Sequence, residues 1–248
     1  MSSIELRGQT ALITGAAKRL GRAIALQLAR SGVNLVIHFN TSAREAELLA
    51  EEIRHMGVRA WTMRANLEHE NEVEALAQNS IQAAGPIRIL VNNASIFPVD
   101  HIEDISSASL FRNININAYA PLLLMRVLAG QDTDGCIINL LDCRAFGQDP
   151  EHASYLLSKR MLFSLTRICS LEFAPGFRVN AVAPGLILPP PGQDESYLTH
   201  MEHTNPLHTH GNPEDVAEAV LFLAQSPFVT GQVIFVDGGR NLKENLYG

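Results

Sequence analysis

The chain has 248 residues, 46% of them hydrophobic, and a formal net charge of −7 at pH 7. A chain of this length can bury one large core or two small ones. No basic run exceeds three residues, which argues against nucleic acid or an anionic membrane as the main partner. The three cysteines lack metal-type spacing, and neither a signal pattern nor an apolar run of about 18 residues is present. We therefore expect a soluble, cytoplasmic protein.

Short apolar, β-branched runs alternate with longer amphipathic stretches along the chain. The runs predict seven strands, at residues 10–14, 34–38, 59–63, 87–91, 136–141, 178–182 and 232–236. The stretches predict helices at residues 19–31, 42–56, 69–84, 107–128, 152–173 and 213–224. Ser42 with Glu45, and Asn212 with Asp215, have the spacing of capping boxes. This alternation predicts one α/β domain, residues 1–248, with a Rossmann-type doubly wound parallel seven-stranded sheet and helices on both faces.

One region, residues 184–211, has no regular pattern and contains three consecutive prolines. A loop of this length in a compact domain is typically a lid or binding loop, and we place the lid at about residues 185–211. His200 and His203 have a spacing that could hold a metal ion, but no cysteine or tight carboxylate cluster accompanies them. We expect a solvated loop without a metal site.

The first predicted strand-to-helix turn carries glycines at both ends. Gly15 and Gly21 permit a tight turn and a close helix–strand approach, and the amides of the helix N-terminus can face phosphates. We therefore predict that a dinucleotide pyrophosphate binds here. Arg19 occupies the place of the middle glycine; it could reach a phosphate or a substrate edge, or face solvent.

The end of the second predicted strand contains no acidic residue. NAD sites usually have Asp or Glu at this point, bonded to the ribose 2′-hydroxyl, and a carboxylate would repel a 2′-phosphate. Asn40, Thr41 and Ser42 offer donors instead, so the pattern favours NADPH, although no arginine stands at the strand tip. After the third strand, Asn66 and Leu67 could meet the adenine or form a plain turn.

Small and aromatic residues follow the fourth predicted strand. Asn93, Ala94 and Ser95 would let a cofactor lie against the backbone, or would form an Asn-rich turn. Phe97 is expected in a loop at the carboxyl ends of the strands, where it could stack on a flat ring or pack into the core. Asn117, on the next helix, could bond the backbone through a water molecule or face solvent.

Tyr155 and Lys159 are one turn apart on a predicted helix that follows Asp142. Positions i and i+4 lie on the same face, and a nearby ammonium group lowers the pKa of a tyrosine. Bringing that pKa close to neutrality takes roughly 4 kcal/mol and would give a proton donor usable at pH 7. Taken alone, such a pair is more often an ordinary surface pair, so its meaning depends on the other motifs.

Several motifs together resemble the short-chain dehydrogenase/reductases over essentially the whole chain: Thr14-Gly15…Gly21, Asn92-Asn93-Ala94, Asn117, Tyr155-xxx-Lys159, Pro184-Gly185 and Val236-Asp-Gly-Gly239. The resemblance implies that Tyr155 donates a proton, that Lys159 lowers its pKa and holds the nicotinamide ribose, and that Asn117 anchors a proton-relay water. The expected cofactor-binding residues are Gly15, Lys18, Arg19, Leu20, Gly21, His38, Phe39, Asn40, Thr41, Ser42, Asn66, Leu67, Asn93, Ala94, Ser95, Tyr155, Lys159, Pro184, Gly185 and Ile187.

Three departures from that family narrow the resemblance. Asp142 stands where most members have serine, Arg19 where most have glycine, and Phe97 follows Asn-Ala-Ser-Ile. All three resemble the pteridine reductases and the bacterial dihydromonapterin reductases. There the arginine touches cofactor and pterin, the phenylalanine and the nicotinamide sandwich the pterin, and Asp with Tyr supplies protons. The expected substrate-binding residues are Arg19, Ser95, Phe97, Asp142 and Tyr155.

The chemistry of Asp142 agrees with that resemblance. An ionised carboxylate repels a ketone oxygen, whereas a pterin presents N–H donors and basic ring nitrogens. We therefore expect an NADPH-dependent pteridine reductase acting on a dihydropterin-type C=N bond. The alternatives are a carbonyl or 3-oxoacyl reductase, an altered or inactive site marked by Asp142, and a catalytically silent NADP(H)-binding sensor.

The helix that carries Tyr155 is apolar on its other faces as well. Such a helix is buried on two sides, which predicts a homo-oligomer. The resemblance implies a tetramer. The apolar positions are Leu156, Leu157, Met161, Phe163 and Leu165.

Overall fold

The computed structural model describes residues 3–190 and 192–243. Seven strands form one sheet in the order β3-β2-β1-β4-β5-β6-β7, and every neighbouring pair is parallel. The predicted fold class is confirmed. The strands are β1 (Thr10–Ile13), β2 (Asn34–Phe39), β3 (Ala60–Arg64), β4 (Ile89–Asn92), β5 (Gly135–Leu140), β6 (Phe177–Pro184) and β7 (Val233–Val236).

Helices cover both faces of the sheet because successive strand residues point to opposite sides. Ile13 packs in one core cluster with α1, α2 and α8, whereas Leu12 packs in the other with α3 and α5. No helix in the described part of the chain has the length and apolar character needed to cross a bilayer. The helices are α1 (Arg19–Arg30), α2 (Ala43–His55), α3 (Glu70–Ala84), α4 (Ser107–Ile114), α5 (Ala120–Ala129), α6 (Ala153–Glu172), α7 (Glu195–Met201) and α8 (Pro213–Gln225).

The helix predicted at residues 107–128 is not continuous. A π-helical turn, Asn115–Tyr119, separates α4 from α5. Such turns often occur at functional sites. The apolar pattern continues through the turn, so periodicity alone did not reveal the break.

The segment predicted to be irregular, residues 184–211, contains α7 and a short 3₁₀ turn, Glu202–Thr204. The Asp194 side chain starts α7 by accepting a hydrogen bond from the Ser196 amide at 2.9 Å. The His203 ring contacts the His200 carbonyl oxygen, and no metal-binding group of three or more His, Cys, Asp or Glu occurs within residues 3–190 and 192–243.

One of the two predicted capping boxes is wrong. The Ser42 side chain makes no cap hydrogen bond, and Glu45 forms an ion pair with Lys18 at 2.7 Å instead of folding back on the helix start. The other prediction agrees with the structure, because the Asp215 carboxylate accepts a hydrogen bond from the Asn212 amide at 2.7 Å.

Candidate active site

The turn between β1 and α1 is held by the segment that follows β4. The Asn93 side-chain amide donates to the carbonyl oxygens of Thr14 and Gly15, at 2.9 and 3.2 Å. The Thr14 hydroxyl accepts hydrogen bonds from the amides of Asn93 and Ala94, both at 3.0 Å. A Cβ on Gly21 would lie 2.4 Å from the Gly15 carbonyl oxygen. The Asn93 side chain and Gly21 together therefore fix the shape of the turn.

His38, which we predicted to bind the cofactor, supports this turn from inside the protein. Its Nδ1 accepts a hydrogen bond from the Gly15 amide at 3.1 Å, and its Nε2 faces the Ala65 carbonyl oxygen at 3.1 Å. Burial lowers the pKa of His38 to about 4, so the ring is neutral at pH 7. The ring is therefore not available to a cofactor, and that part of the prediction is wrong.

Arg19 connects the turn to the predicted lid. Its backbone adopts the left-handed conformation, with φ of 54°, which is uncommon for a residue with a side chain. Its guanidinium Nη2 donates to the Pro189 carbonyl oxygen at 2.7 Å. Arg19 thus takes the backbone conformation that a glycine would take, while its side chain reaches the lid.

A cavity of about 410 Å³ opens at the carboxyl ends of β1, β4, β5 and β6. Most predicted cofactor residues line it, but residues 38–42 and 66–67 do not. The lining consists of Gly15, Lys18, Arg19, Leu20, Gly21, Asn93, Ala94, Ser95, Leu140, Leu141, Asp142, Tyr155, Lys159, Pro184, Gly185, Ile187 and Leu188. Of these, Leu140, Leu141 and Leu188 were not predicted.

The chemistry of this cavity fits a dinucleotide. No side chain caps the N-terminus of α1, which leaves its first amides as donors for phosphate. A Cβ on Gly185 would lie 2.6 Å from the Cα of Asp237, so only glycine fits between β6 and the corner that follows β7.

The ends of β2 and β3 lie beyond this cavity. Asn40 and Thr41 are exposed there, and the Arg64 Nε donates to the Asn40 carbonyl oxygen at 3.3 Å. The Leu67 side chain is buried in the core, and its predicted contact with the adenine stays a prediction. Asn66 forms a turn, with its side-chain oxygen accepting a hydrogen bond from the Glu68 amide at 3.1 Å.

Tyr155 and Asp142 are in direct contact. The Tyr155 hydroxyl donates to Asp142 Oδ2 at 2.8 Å, and the Arg144 amide donates to Asp142 Oδ1, also at 2.8 Å. Burial, followed by the neighbouring Asp142 carboxylate, raises the pKa of Tyr155 well above its ordinary value. The phenol is therefore protonated at neutral pH.

Lys159 does not act on Tyr155 as we expected. Its ammonium group donates to the Leu140 carbonyl oxygen at 2.7 Å and lies 5.7 Å from the centre of the Tyr155 ring. Burial lowers the pKa of Lys159 to about 8, although Asp142 opposes that shift. The expected lowering of the Tyr155 pKa is wrong for this structure, because burial and then the Asp142 carboxylate raise that pKa, and the ammonium group does not contact the phenol.

Phe97 lies beside Tyr155 at the edge of the site. The two ring centres are 4.6 Å apart at 81°, and the Phe97 side chain is 38% exposed. The His152 ring stacks on Phe97, with the ring centres 3.8 Å apart. Asp149 Oδ2 contacts His152 Nδ1 at 3.0 Å and Arg144 Nη1 at 3.3 Å. His152 and Asp149 were not predicted, because no local motif marks them.

Asn117 holds the loop that carries Phe97. Its side-chain oxygen accepts a hydrogen bond from the Ile96 amide at 2.9 Å. Its side-chain nitrogen donates to the Ile96 carbonyl oxygen and to the Ser158 hydroxyl, both at 3.0 Å. These direct contacts join the π-helical turn, the loop and α6. The proton-relay role of Asn117 stays a prediction.

The parallel sheet, the glycine turn and the Tyr–Lys pair define the class as a dinucleotide-binding oxidoreductase. A family model described as enoyl-(acyl carrier protein) reductase matches residues 15–241. The chain belongs to the short-chain dehydrogenase/reductase family.

Relatives and solved structures agree with this family. A 3-oxoacyl-[acyl-carrier-protein] reductase of Staphylococcus epidermidis is 32% identical over 245 residues, covering 93% of this chain and 98% of that protein. The structure of FolM alternative dihydrofolate reductase 1 from Brucella canis, complexed with NADP, is 33% identical, has a TM-score of 0.90 and covers 97% of both chains. A short-chain dehydrogenase from Burkholderia cenocepacia, also in complex with NADP, is 27% identical, with a TM-score of 0.89, and covers 96% of this chain and all of that one (100%).

Proposed function

We propose that this protein is an NADPH-dependent pteridine reductase that transfers a hydride to a dihydropterin-type C=N bond. The contact between Tyr155 and Asp142, at 2.8 Å, carries the proposal. In a ketone reductase the corresponding position supplies a hydroxyl that donates to the substrate oxygen. A carboxylate accepts hydrogen bonds instead, so it favours a substrate that presents N–H groups. The structural likeness to an alternative dihydrofolate reductase supports the same substrate class.

The chain supplies binding and proton delivery. Bound NADPH supplies the hydride. Asp142 accepts hydrogen bonds from N–H groups of the pterin. Tyr155, kept neutral by burial and by the carboxylate, donates the proton that the reduced nitrogen requires. Phe97 lies beside the Tyr155 ring and offers an aromatic surface for a flat heterocycle. Stacking there requires the His152 ring, 3.8 Å from Phe97, or the Arg144 guanidinium, 5.0 Å from the Phe97 ring centre, to move aside. Lys159 binds the nicotinamide ribose, which requires its ammonium to exchange or share its contact with Leu140.

NADP(H) is the cofactor of this proposal. The glycine turn and the uncapped amides of α1 suit the pyrophosphate, and the end of β2 has no acidic residue that would repel a 2′-phosphate. Several similar structures contain bound NADP or NADPH.

The test is NADPH oxidation by the purified protein with dihydrobiopterin, dihydromonapterin, dihydrofolate and a panel of simple ketones. We expect turnover with at least one dihydropterin and a loss of about 100-fold or more in the Tyr155→Phe variant, which cannot donate the proton. Turnover of ketones alone would contradict the proposal. Tight NADPH binding without turnover of any substrate would instead indicate the silent sensor.

A second candidate is a carbonyl or 3-oxoacyl reductase. The 32% identity to 3-oxoacyl-[acyl-carrier-protein] reductases favours it, because it extends over 93% of this chain. Asp142 argues against it. A β-keto ester added to the substrate panel separates the two, since a 3-oxoacyl reductase reduces β-keto esters or thioesters and leaves dihydropterins unchanged.

We also propose that the protein is a homo-oligomer that uses α6. Apolar side chains on one side of this helix are exposed: Leu157 (44%), Ile168 (61%) and Leu171 (81%). Their spacing, with Ile168 eleven residues after Leu157 and Leu171 three residues later, places them on one face. A second copy of the chain would bury this face. A tetramer and a cytoplasmic location remain predictions.

A further inference from the structure

We propose that Arg64, at the end of β3, binds the 2′-phosphate of the cofactor and makes the protein selective for NADP(H) over NAD(H). This inference rests on the NADP(H) dependence proposed above. Arg64 belongs to β3, whereas the donors expected from the sequence follow β2. The residues that follow β2, Asn40, Thr41 and Ser42, include no cation, and the neighbouring strand β3 supplies one.

The register of the sheet places Arg64 at this position. Arg64 pairs with Phe39, the last residue of β2, so its backbone lies beside the strand tip where the adenosine ribose of a dinucleotide binds. Its Nε donates to the Asn40 carbonyl oxygen at 3.3 Å. This bond holds the guanidinium beside the first residue that follows β2. The side chain is exposed, so both Nη groups can reach solvent or a ligand.

The charges around the tip support an anion at this point. Glu45, in the first turn of α2, is already paired with Lys18, 2.7 Å away. Within residues 3–190 and 192–243, no carboxylate lies within ion-pair distance of Arg64. A guanidinium whose charge is not neutralised, next to hydroxyl and amide donors at a helix N-terminus, has the donor set that a phosphate monoester requires.

The test compares the binding of 2′,5′-ADP and 5′-AMP, and of NADP⁺ and NAD⁺, by calorimetry with the Arg64→Met variant. These ligands report the 2′-phosphate contact without catalysis. We expect Arg64→Met to weaken the binding of NADP⁺ and 2′,5′-ADP about 10- to 100-fold, as for the loss of one charge-assisted hydrogen bond. The affinities for NAD⁺ and 5′-AMP should change by less than about 2-fold. The dependence of NADP⁺ binding on salt should also become weaker, because one exposed charge is removed.

Arg59→Met is the matched control. Arg59 precedes the same strand at its opposite end, where it lies over the Trp61 ring, so the variant makes the same change in charge far from the strand tip. Arg44→Met tests the other cation near the start of α2. The proposal is overturned if Arg64→Met weakens NADP⁺ no more than Arg59→Met does, or if the loss appears in Arg44→Met instead. If the unaltered protein binds neither NADP⁺ nor NAD⁺, the proposed function itself fails; if it binds NADP⁺ and Arg64→Met changes nothing, only the role of Arg64 fails.

Discussion

The buried His38 side chain helps to hold the glycine turn between β1 and α1 in place. His38 is 2% exposed and lies between the Gly15 amide and the Ala65 carbonyl oxygen, so its ring makes a hydrogen bond on each side only when it is neutral with the proton on Nε2. Protonation would place a second N–H against the Gly15 amide. The turn should therefore be sensitive to acid.

His38 should make folding depend on pH between about 4 and 6.5. Its pKa in the folded protein, about 4, is below its ordinary value of 6.5, so its contribution is complete above pH 6.5 and is lost as the pH falls toward 4. The expected loss is about 3 kcal/mol in the free energy of unfolding. Urea unfolding at several pH values should show this loss in the unaltered protein and in the exposed-site control His101→Asn. The His38→Asn variant should lack it; equal pH dependence in all three would contradict the assignment.

Lys159 should make the free energy of unfolding depend on pH in the alkaline range. Burial lowers its folded-state pKa to about 8, below the ordinary 10.5, so the charged form costs stability below pH 8 and that cost disappears as the pH rises. Relative to Lys159→Met, the unaltered protein should therefore gain about 3 kcal/mol between pH 8 and 10.5. A difference between the two proteins that stays constant over this range would contradict the buried, desolvated lysine.

At the level of elements, the loop after β4 and the start of α6 together orient Phe97. Asn117 fixes the loop through Ile96, and Asp149 holds His152, whose ring covers Phe97. The Asp149 carboxylate thus acts through the His152 ring on Phe97, which we propose contacts the substrate. It is a positioning residue.

Asp149→Asn should change substrate binding more than cofactor binding. Loss of the charge weakens the contacts to His152 and Arg144, so Phe97 loses its fixed orientation. We expect KM for a dihydropterin to rise about 10-fold while the affinity for NADP⁺ stays within about 2-fold. The control is Asp104→Asn, an exposed position. An equal loss in both affinities would indicate general disruption of the fold instead.

Gly185 marks a close contact between β6 and the corner after β7. Gly185→Ala would place a Cβ 2.6 Å from the Asp237 backbone, whereas the nearest atom to a Cβ at Gly176 is 3.6 Å away. Gly185→Ala should therefore lower the free energy of unfolding by about 1–3 kcal/mol, and Gly176→Ala should not lower it. Chemical unfolding of both variants checks this; equal stabilities would contradict the close contact.

For the whole molecule, the apolar face of α6 predicts self-association. Leu171→Lys should shift the protein to a smaller species by light scattering, because a charge in a buried interface is costly. The control is Leu48→Lys on α2, where the side chain is 54% exposed. An unchanged mass for Leu171→Lys, or a monomeric unaltered protein, would contradict the proposed interface.

The sequence was sufficient for the sheet because alternating apolar runs and amphipathic stretches specify a parallel fold by local pattern. It was also sufficient to predict that Asp142 and Phe97 lie beside Tyr155, as they do in the structure. It was not sufficient where contacts join distant parts of the chain. The His38 ring bonds to Gly15, 23 residues earlier, and Arg64 reaches Asn40, 24 residues earlier, and neither spacing leaves a local signal. The π-helical turn was missed for a different reason, since its apolar spacing is compatible with an α-helix.

The exchange of Asp142 for serine tests the central claim most directly. The quantity to measure is kcat/KM for a dihydropterin and for a simple ketone, in the unaltered protein and in Asp142→Ser. We predict that the unaltered protein prefers the dihydropterin by about 100-fold or more, and that Asp142→Ser lowers the pterin value and raises the ketone value, because a hydroxyl replaces the carboxylate beside Tyr155. An unaltered protein that prefers the ketone, or a variant that retains full activity on the dihydropterin, would contradict the account.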